Sequence, residues 1–258
     1  MARTVPARAA AVAAVVVVLV AGVAACGADA GDDKEPENRS FPLQGRTLTI
    51  DSDDSALEIV AGDENKAGTV EVTRWFKGSV AVGSEPRVTW EMKDDDRLVL
   101  REKCSGMIAN CATKHRIEVP RGVTVKVEDG DGSVRARGFK DALSIRTGDG
   151  SVQVTDSSGP LDLKTGDGSV RVSDVASRRV KAQTGDGSIR LELGTVPDRV
   201  ETRSGDGSVT IELPRSTYDV ETRTGDGSVD VSVPRDNASS HAVSAHTGDG
   251  NVTVRTAN

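Results

Sequence analysis

Seven aspartates recur in one local context, Gly-Asp-Gly, at Asp131, Asp149, Asp167, Asp186, Asp206, Asp226 and Asp249. Carboxylates repeated along a chain can do two kinds of chemistry. They can hold a row of calcium ions through hard oxygen ligands, or supply acid and base to a bond lying in a groove. The first glycines of the phrase are Gly130, Gly148, Gly166, Gly185, Gly205, Gly225 and Gly248, at intervals of 18, 18, 19, 20, 20 and 23 residues. Either chemistry requires the aspartates to be brought into register, so the elements that carry them decide.

Each repeat holds two short alternating runs joined by the glycine turn and closed by a looser polar turn. In one copy Leu143 and Ile145, then Val152 and Val154, fall on one face, with polar residues opposite. Leu161, Leu163, Val170 and Val172 keep that parity, as do Val180, Ala182, Ile189 and Leu191, and the series runs on to Val252 and Val254. Asp-Gly between alternating runs is also a hairpin signal. Hairpins, however, would tolerate any spacing between copies, whereas near-constant spacing suits coils stacked in parallel. The expected fold is all-β: a parallel β-solenoid or β-roll of about 18–20-residue, two-strand coils, right-handed by the general crossover preference. A thin core of small aliphatics agrees with an aromatic content of only 2%. Gly148 and Gly150 are expected at positive φ, and Thr147 with its equivalents is expected to form a hydroxyl ladder capping turn amides.

Stacking would place the seven aspartates in one file about 4.8 Å apart. Neighbouring carboxylates then repel by about 0.9 kcal/mol in a water-like medium and about 3.5 kcal/mol at an effective dielectric near 20. Basic flanks (Arg146, Lys164, Arg203 and Arg223 on one side, Arg135, Arg171 and Arg190 on the other) are expected to offset this without a metal. The nonapeptide spacing of calcium-binding rolls is absent. Asp129-Gly-Asp131-Gly-Ser133 resembles the opening of an EF-hand loop, but Lys140 stands where a bidentate acid is required. The aspartate file therefore reads as a structural turn ladder, with a calcium-binding β-roll as the alternative, no metal site assigned and no cofactor expected.

The amino terminus has the form of an export signal. Arg3 and Arg8 precede an Ala/Val run from Ala9 to Val20, and the segment closes Val23-Ala24-Ala25-Cys26. Small residues before a cysteine at this place have the pattern of a bacterial lipobox, so residues 1–25 are expected to be a lipoprotein signal peptide, with Cys26 lipidated. An ordinary secretory signal or a short membrane anchor is the other reading. Residues 26–43, rich in Asp and Glu, are expected to be a disordered tether. Outside the cytosol, Cys104 and Cys111 form an even pair expected to close a disulfide, since a six-residue gap matches neither a redox nor a zinc spacing. The formal charge of −7 becomes −9 without the two signal arginines, which gives no reason to expect nucleic acid.

Residues 44–128 read as an irregular β cap that starts the solenoid, and residues 129–258 as its regular part. Thr47–Ile50, an acidic turn and Ala56–Ile59 repeat the coil logic in degraded form. Trp75, Phe76 and Trp90 concentrate the aromatics here and are assigned to a wider cap core. At the other end Val252 to Asn258 shows no cap, which leaves an edge for edge-to-edge self-association.

Together the lipobox, the irregular first strands, Ile-Glu-Val-Pro-Arg-Gly-Val at 117–123 and the repeated Thr-Gly-Asp-Gly-Ser-Val resemble the DUF4097 family. That family is described as "putative adhesin" and is related to toastrack domains of envelope-stress proteins. The resemblance covers about residues 44–258. It implies a β-solenoid at the cell envelope and carries over no catalytic residues. The expected protein is a non-catalytic lipoprotein anchored to the membrane outside the cytoplasm, an adhesin-like or envelope-stress scaffold that binds an envelope protein or glycan. A polysaccharide-active β-helix enzyme is the competing class, but three histidines and no hydrolase motif give it little support.

Overall fold

The computed structural model describes residues 30–62 and 68–257. The first portion contributes β1 (Glu37–Pro42), β2 (Thr47–Ser52), β3 (Ala56–Ala61), β4 (Thr69–Val80), β5 (Arg87–Lys93), β6 (Arg97–Lys103) and β7 (Ala109–Val119). The repeats then supply strands in pairs, each pair one coil. These are β8 (Thr124–Asp129) with β9 (Val134–Arg137), β10 (Leu143–Thr147) with β11 (Val152–Thr155), and β12 (Leu161–Lys164) with β13 (Val170–Val175). There follow β14 (Arg179–Gln183) with β15 (Ile189–Leu193) and β16 (Arg199–Arg203) with β17 (Val209–Leu213). The last are β18 (Asp219–Arg223) with β19 (Val229–Val231), and β20 (Ala242–His246) with β21 (Val252–Thr256).

Alternation gives each run one apolar face, and that face is buried only by stacking coils so that two sheets enclose it. Sheet A has the order β1-β4-β7-β3-β9-β11-β13-β15-β17-β21-β19, and sheet B the order β18-β20-β16-β14-β12-β10-β8-β2-β6-β5. The repeat strands pair in parallel: Leu143 lies opposite Val125 and Leu161, and Val152 opposite Val134 and Val170. The fold is therefore a parallel β-solenoid, and the repeats are not hairpins. Leu143, Ile145, Val152, Val154 and their equivalents form the buried files expected of them, except in the coil β18–β19, where Val229 is exposed and Val220 and Val231 are only partly buried.

Coil order departs from chain order at both ends. The last coil, β20–β21, lies between β16–β17 and β18–β19. Ala242 faces Arg199 on one side and Asp219 on the other, and Val252 faces Val209 and Val229. At the opposite end β2–β3 lies between β6–β7 and β8–β9. Both terminal coils of the chain are thus interior to the rod. This corrects the simple succession of the last two copies: the turn at Gly248 rests on that at Gly205, and the turn at Gly225 is outermost. The open edge at this end is consequently β18 and β19, not β21 (Val252–Thr256). The physical reason lies in composition, because an edge strand meets water. The edge coil carries the charged outward residues Asp219, Glu221, Arg223 and Asp230 where the interior coil has Ala242, Ser244, His246 and Thr253, and the inward Val229 at the edge is left 46% exposed.

The acidic tether is corrected in part. Cys26 lies outside the described residues, but Glu37–Pro42 forms β1, which pairs antiparallel with β4, and Phe41 and Leu43 are buried. Charge averaged over residues 26–43 masks these two apolar anchors. Phe41 meets Trp90 edge-on at 6.2 Å, and the Arg39 and Arg74 guanidiniums stand 4.9 and 4.6 Å from the Trp90 ring. Trp90 therefore fills the cap core as expected. Trp75 does not, since it is only partly buried and lies 5.3 Å from the Lys114 ammonium. Cys104, just beyond β6 in sheet B, is disulfide-bonded to Cys111 on β7 in sheet A, with Cα atoms 6.2 Å apart, and staples the two sheets at this end.

Candidate binding surface

The glycine corner is a ladder of backbone contacts. From Gly148 onward the first-glycine amide of each repeat donates to the first-glycine carbonyl of the adjacent coil, as Gly166 does to Gly148 and Gly248 to Gly205, while Gly130 donates to the Ser52 carbonyl. Hydroxyls at the preceding position donate across the same step: Thr165 to the Gly150 carbonyl at 2.7 Å, Thr184 to Gly168 at 2.8 Å, Thr247 to Gly207 at 2.7 Å and Thr224 to Gly250 at 2.7 Å. They also accept, as expected, from amides of their own turn: Gly187 N donates to Thr184 Oγ1 at 3.2 Å, and Gly207 N to Ser204 Oγ at 3.0 Å. The repeat glycines do not adopt positive φ, which corrects that expectation; the positive values belong to Gly45, Gly68, Gly83, Gly122 and Gly138. Close approach is what requires them. A Cβ on Gly166 would lie 2.6 Å from the Gly148 carbonyl oxygen and 2.7 Å from the Asp149 carboxylate.

Asp131, Asp149, Asp167, Asp186, Asp206, Asp226 and Asp249 all stand exposed along this corner. Asp131 Oδ1 accepts from the Asp149 amide at 3.3 Å, and Asp54 Oδ1 from the Asp131 amide at 3.2 Å. The carboxylates thus lean along the rod onto the next backbone. The basic flanks do not pair with them. Among the described residues Arg146 bonds Asp162 at 3.4 Å, Arg190 bonds Glu212 at 2.7 Å and Arg223 lies 4.0 Å from Glu221, all strand carboxylates. Backbone amides, not direct ion pairs, face Asp131 and Asp54, and the exposure of the file argues for the low end of the expected repulsion. Among the described residues, the one set of three or more potential metal-ligand atoms mutually within 4.8 Å is Glu102, Cys104 and Cys111, and its cysteines are disulfide-bonded. The turn carboxylates do not converge in threes.

One member of the ladder differs. Asp129 pairs with Thr147 across the sheet and so occupies the hydroxyl slot, where the axial partner is a carbonyl that a carboxylate cannot bond. The Ser52 and Thr147 hydroxyls and the Gly132 amide approach it, yet both its oxygens and Ser52 Oγ lack a hydrogen bond of good geometry. Burial pushes the Asp129 carboxyl up to about 7, and the Asp54 charge adds to this. A folded-state value above the unfolded one means that the folded form holds its proton more tightly. Stability is therefore lost as pH rises from about 4 through 7. Asp129→Asn, which stays neutral, is expected to stabilise the protein by about 1–3 kcal/mol at pH 8, discounted for partial exposure, and by nothing at pH 3.5. Denaturant titrations at the two pH values check this, and an equal gain at both would contradict it.

On the outer face of sheet B the intercalated coil leaves a trough of about 360 Å³. Its floor is Ala242 and Ser244, small residues in a file where the neighbours are long. Arg199, Glu201 and Arg203 wall it on the β16 side, and Asp219 and Glu221 on the β18 side. Arg199 bonds Glu201, and the His246 ring nitrogen Nε2 lies 4.0 Å from Glu221.

The family model described as Toastrack DUF4097 matches residues 28–258. The chain belongs to this family. Solved structures similar to this Toastrack chain include a "putative adhesin" from Parabacteroides merdae ATCC 43184, 12% identical, with 86% of this chain and 96% of that one covered and a TM-score of 0.46. A "putative cell adhesion protein" from Clostridium sporogenes ATCC 15579 is 14% identical over 86% of this chain and 100% of that one, at a TM-score of 0.37. A "putative adhesin" from Bacteroides fragilis NCTC 9343 is 12% identical over 87% and 98%, at 0.42. A search of the curated proteins finds no match.

Guanidiniums and carboxylates standing over a floor of small residues can hydrogen-bond hydroxyls or amides of an extended ligand laid along the strand direction. Sequence reasoning missed this trough. Its signal was present in Ala242 and Ser244, where other Toastrack coils of this chain carry Arg199 and Glu201, or Arg179 and Lys181.

Proposed function

We propose that this protein is a non-catalytic lipoprotein of the cell envelope, anchored outside the cytoplasm through Cys26, whose rigid rod presents the sheet B trough to an envelope glycan or an extended protein segment. The observation that carries the reading is the trough itself, a charged, strand-aligned groove on an in-register rod. The apolar export segment before Cys26 supports the location. Among the described residues no helix is long and apolar enough to cross a membrane. In the trough Glu201 is held by Arg199, which suits a carboxylate that binds more than one that passes protons.

Crosslinking in intact cells, followed by identification of the captured envelope components, tests the reading. Ser244→Trp fills the trough and is expected to abolish capture while the melting temperature is kept, and Cys26→Ser is expected to release the protein from the membrane fraction. Unchanged capture by Ser244→Trp, retention of Cys26→Ser on the membrane, or turnover of any member of a glycan panel would overturn it.

A further inference from the structure

The β4–β7 ribbon runs past the core as an arm. Its antiparallel register continues from Glu71 opposite Glu118, through Val80 opposite Ala109, to an isolated bridge between Gly83 and Gly106. The tip is closed by Ala81 N donating to the Ile108 carbonyl at 2.9 Å and Met107 N to the Val82 carbonyl at 2.7 Å. Gly83 and Gly106 permit this approach, since a Cβ on either would lie 2.4 Å from the carbonyl of the opposite strand. The Cys104–Cys111 disulfide braces the arm from beneath. This braced tip carries Val82 at 58%, Met107 at 86% and Ile108 at 67% exposure, three of the four exposed large hydrophobic residues among the described residues. Three neighbouring aliphatic side chains left in water on one hydrogen-bonded tip form a patch of the kind that marks an interaction surface.

The amino terminus indicates which surface. Ala30–Asp32 forms a short helical turn packed on β4 and β7, and Asp33 Oδ2 accepts from the Phe76 amide at 3.0 Å. The chain therefore enters the fold beside the arm. Cys26 is four residues before Ala30, a reach of at most about 14 Å. Val82 is six residues beyond Phe76 along the strand, about 20 Å. Because the reach is shorter than the arm, anchor and tip meet one plane with the arm inclined to it. Lys77 on β4, Arg87 at the start of β5 and Lys103 at the end of β6 flank the tip, against Glu85 and Glu102, a balance that suits an anionic lipid surface.

We infer that Val82, Met107 and Ile108 insert into the outer surface of the lipid bilayer beside the anchor, as a second membrane contact that fixes the rod's orientation. This rests on the proposed anchoring at Cys26. A single acyl attachment leaves a rod free to swing, whereas two contacts hold it.

The full chain, purified from membranes and reconstituted into anionic phospholipid vesicles, tests the inference. In a Trp75→Phe background, Met107→Trp is expected to add to the emission of the buried Trp90 a blue-shifted component that is lost on adding lipids with brominated acyl chains. Val229→Trp, at the far end of the rod, is expected to show no such loss, and adding Val82→Ser and Ile108→Ser to the Met107→Trp protein is expected to abolish the effect. The mass of the amino-terminal peptide, read from the same sample, reports acylation separately. Quenching absent with Cys26 acylated overturns the tip contact and leaves the anchor standing, whereas quenching present without acylation does the reverse. A blue shift that depends on protein concentration in lipid-free solution would mean that the tip joins copies of this chain, and would also overturn the inference.

Discussion

Val252→Asp is expected to destabilise the protein by more than about 4 kcal/mol, because the slot offers an unpaired carboxylate no solvent and no partner. Val229→Asp, the same change one copy earlier in the chain, is expected to cost within about 1 kcal/mol. The two valines are cross-strand neighbours in sheet A, yet Val252 is fully buried between Val209 and Val229 while Val229 forms the edge. In a repeat array stacked in chain order, the last copy would fray first and the asymmetry would run the other way. Urea titrations of the two variants decide the matter. Amide exchange gives an independent reading, with β20 and β21 expected to be better protected than β18 and β19.

The second large effect is expected at a repeat glycine. Gly168→Ala would place a Cβ 2.2 Å from the Gly150 carbonyl oxygen and 2.5 Å from its carbonyl carbon, both backbone atoms of the coil beneath. Neither can swing aside without breaking the ladder, so a loss above about 3 kcal/mol is expected. Gly194→Ala serves as the contrast. Its nearest neighbour would be the Val175 carbonyl oxygen at 3.5 Å, an ordinary contact, and its φ is not positive. Restricting the unfolded chain there is expected to stabilise by about 0.5 kcal/mol. Melting temperatures of the pair check the claim that axial closeness, not backbone handedness, fixes these glycines.

The solenoid and its inward files were legible because period-2 alternation and a fixed repeat interval each constrain the same residues. Leu143 through Val254 follow from parity alone. The family was legible for the same reason, since the Thr-Gly-Asp-Gly-Ser-Val phrase encodes one corner geometry. Intercalation of the last coil was not legible. Val220, Thr222, Val229 and Val231 present nearly the same inward pattern as Val243, Ala245, Val252 and Val254, so local parity fits either order. The 23-residue final interval, which holds the connector 232–241, and the small outward residues Ala242 and Ser244 marked the step as unusual. That connector passes the buried Tyr218, whose amide donates to the Pro234 carbonyl at 3.0 Å and whose hydroxyl donates to the Pro214 carbonyl at 2.7 Å. The charge pairing was misread for a related reason. Proximity in sequence places Arg146 beside Asp149, but strand alternation turns it toward Asp162 on the neighbouring coil.

Double-cysteine crosslinking across sheet B measures the stacking order directly. Adjacent parallel strands bring Cα atoms to about 4.8 Å and alternate strands to about 9.6 Å, beyond the roughly 7 Å limit for a disulfide. Ser244 lies opposite both Glu201 and Glu221. Glu201→Cys with Ser244→Cys, and Ser244→Cys with Glu221→Cys, are therefore predicted to crosslink, while Glu201→Cys with Glu221→Cys is not. Crosslinking of the Glu201–Glu221 pair, with failure of the Glu201–Ser244 pair, would show the coils stacked in chain order and contradict the intercalated rod.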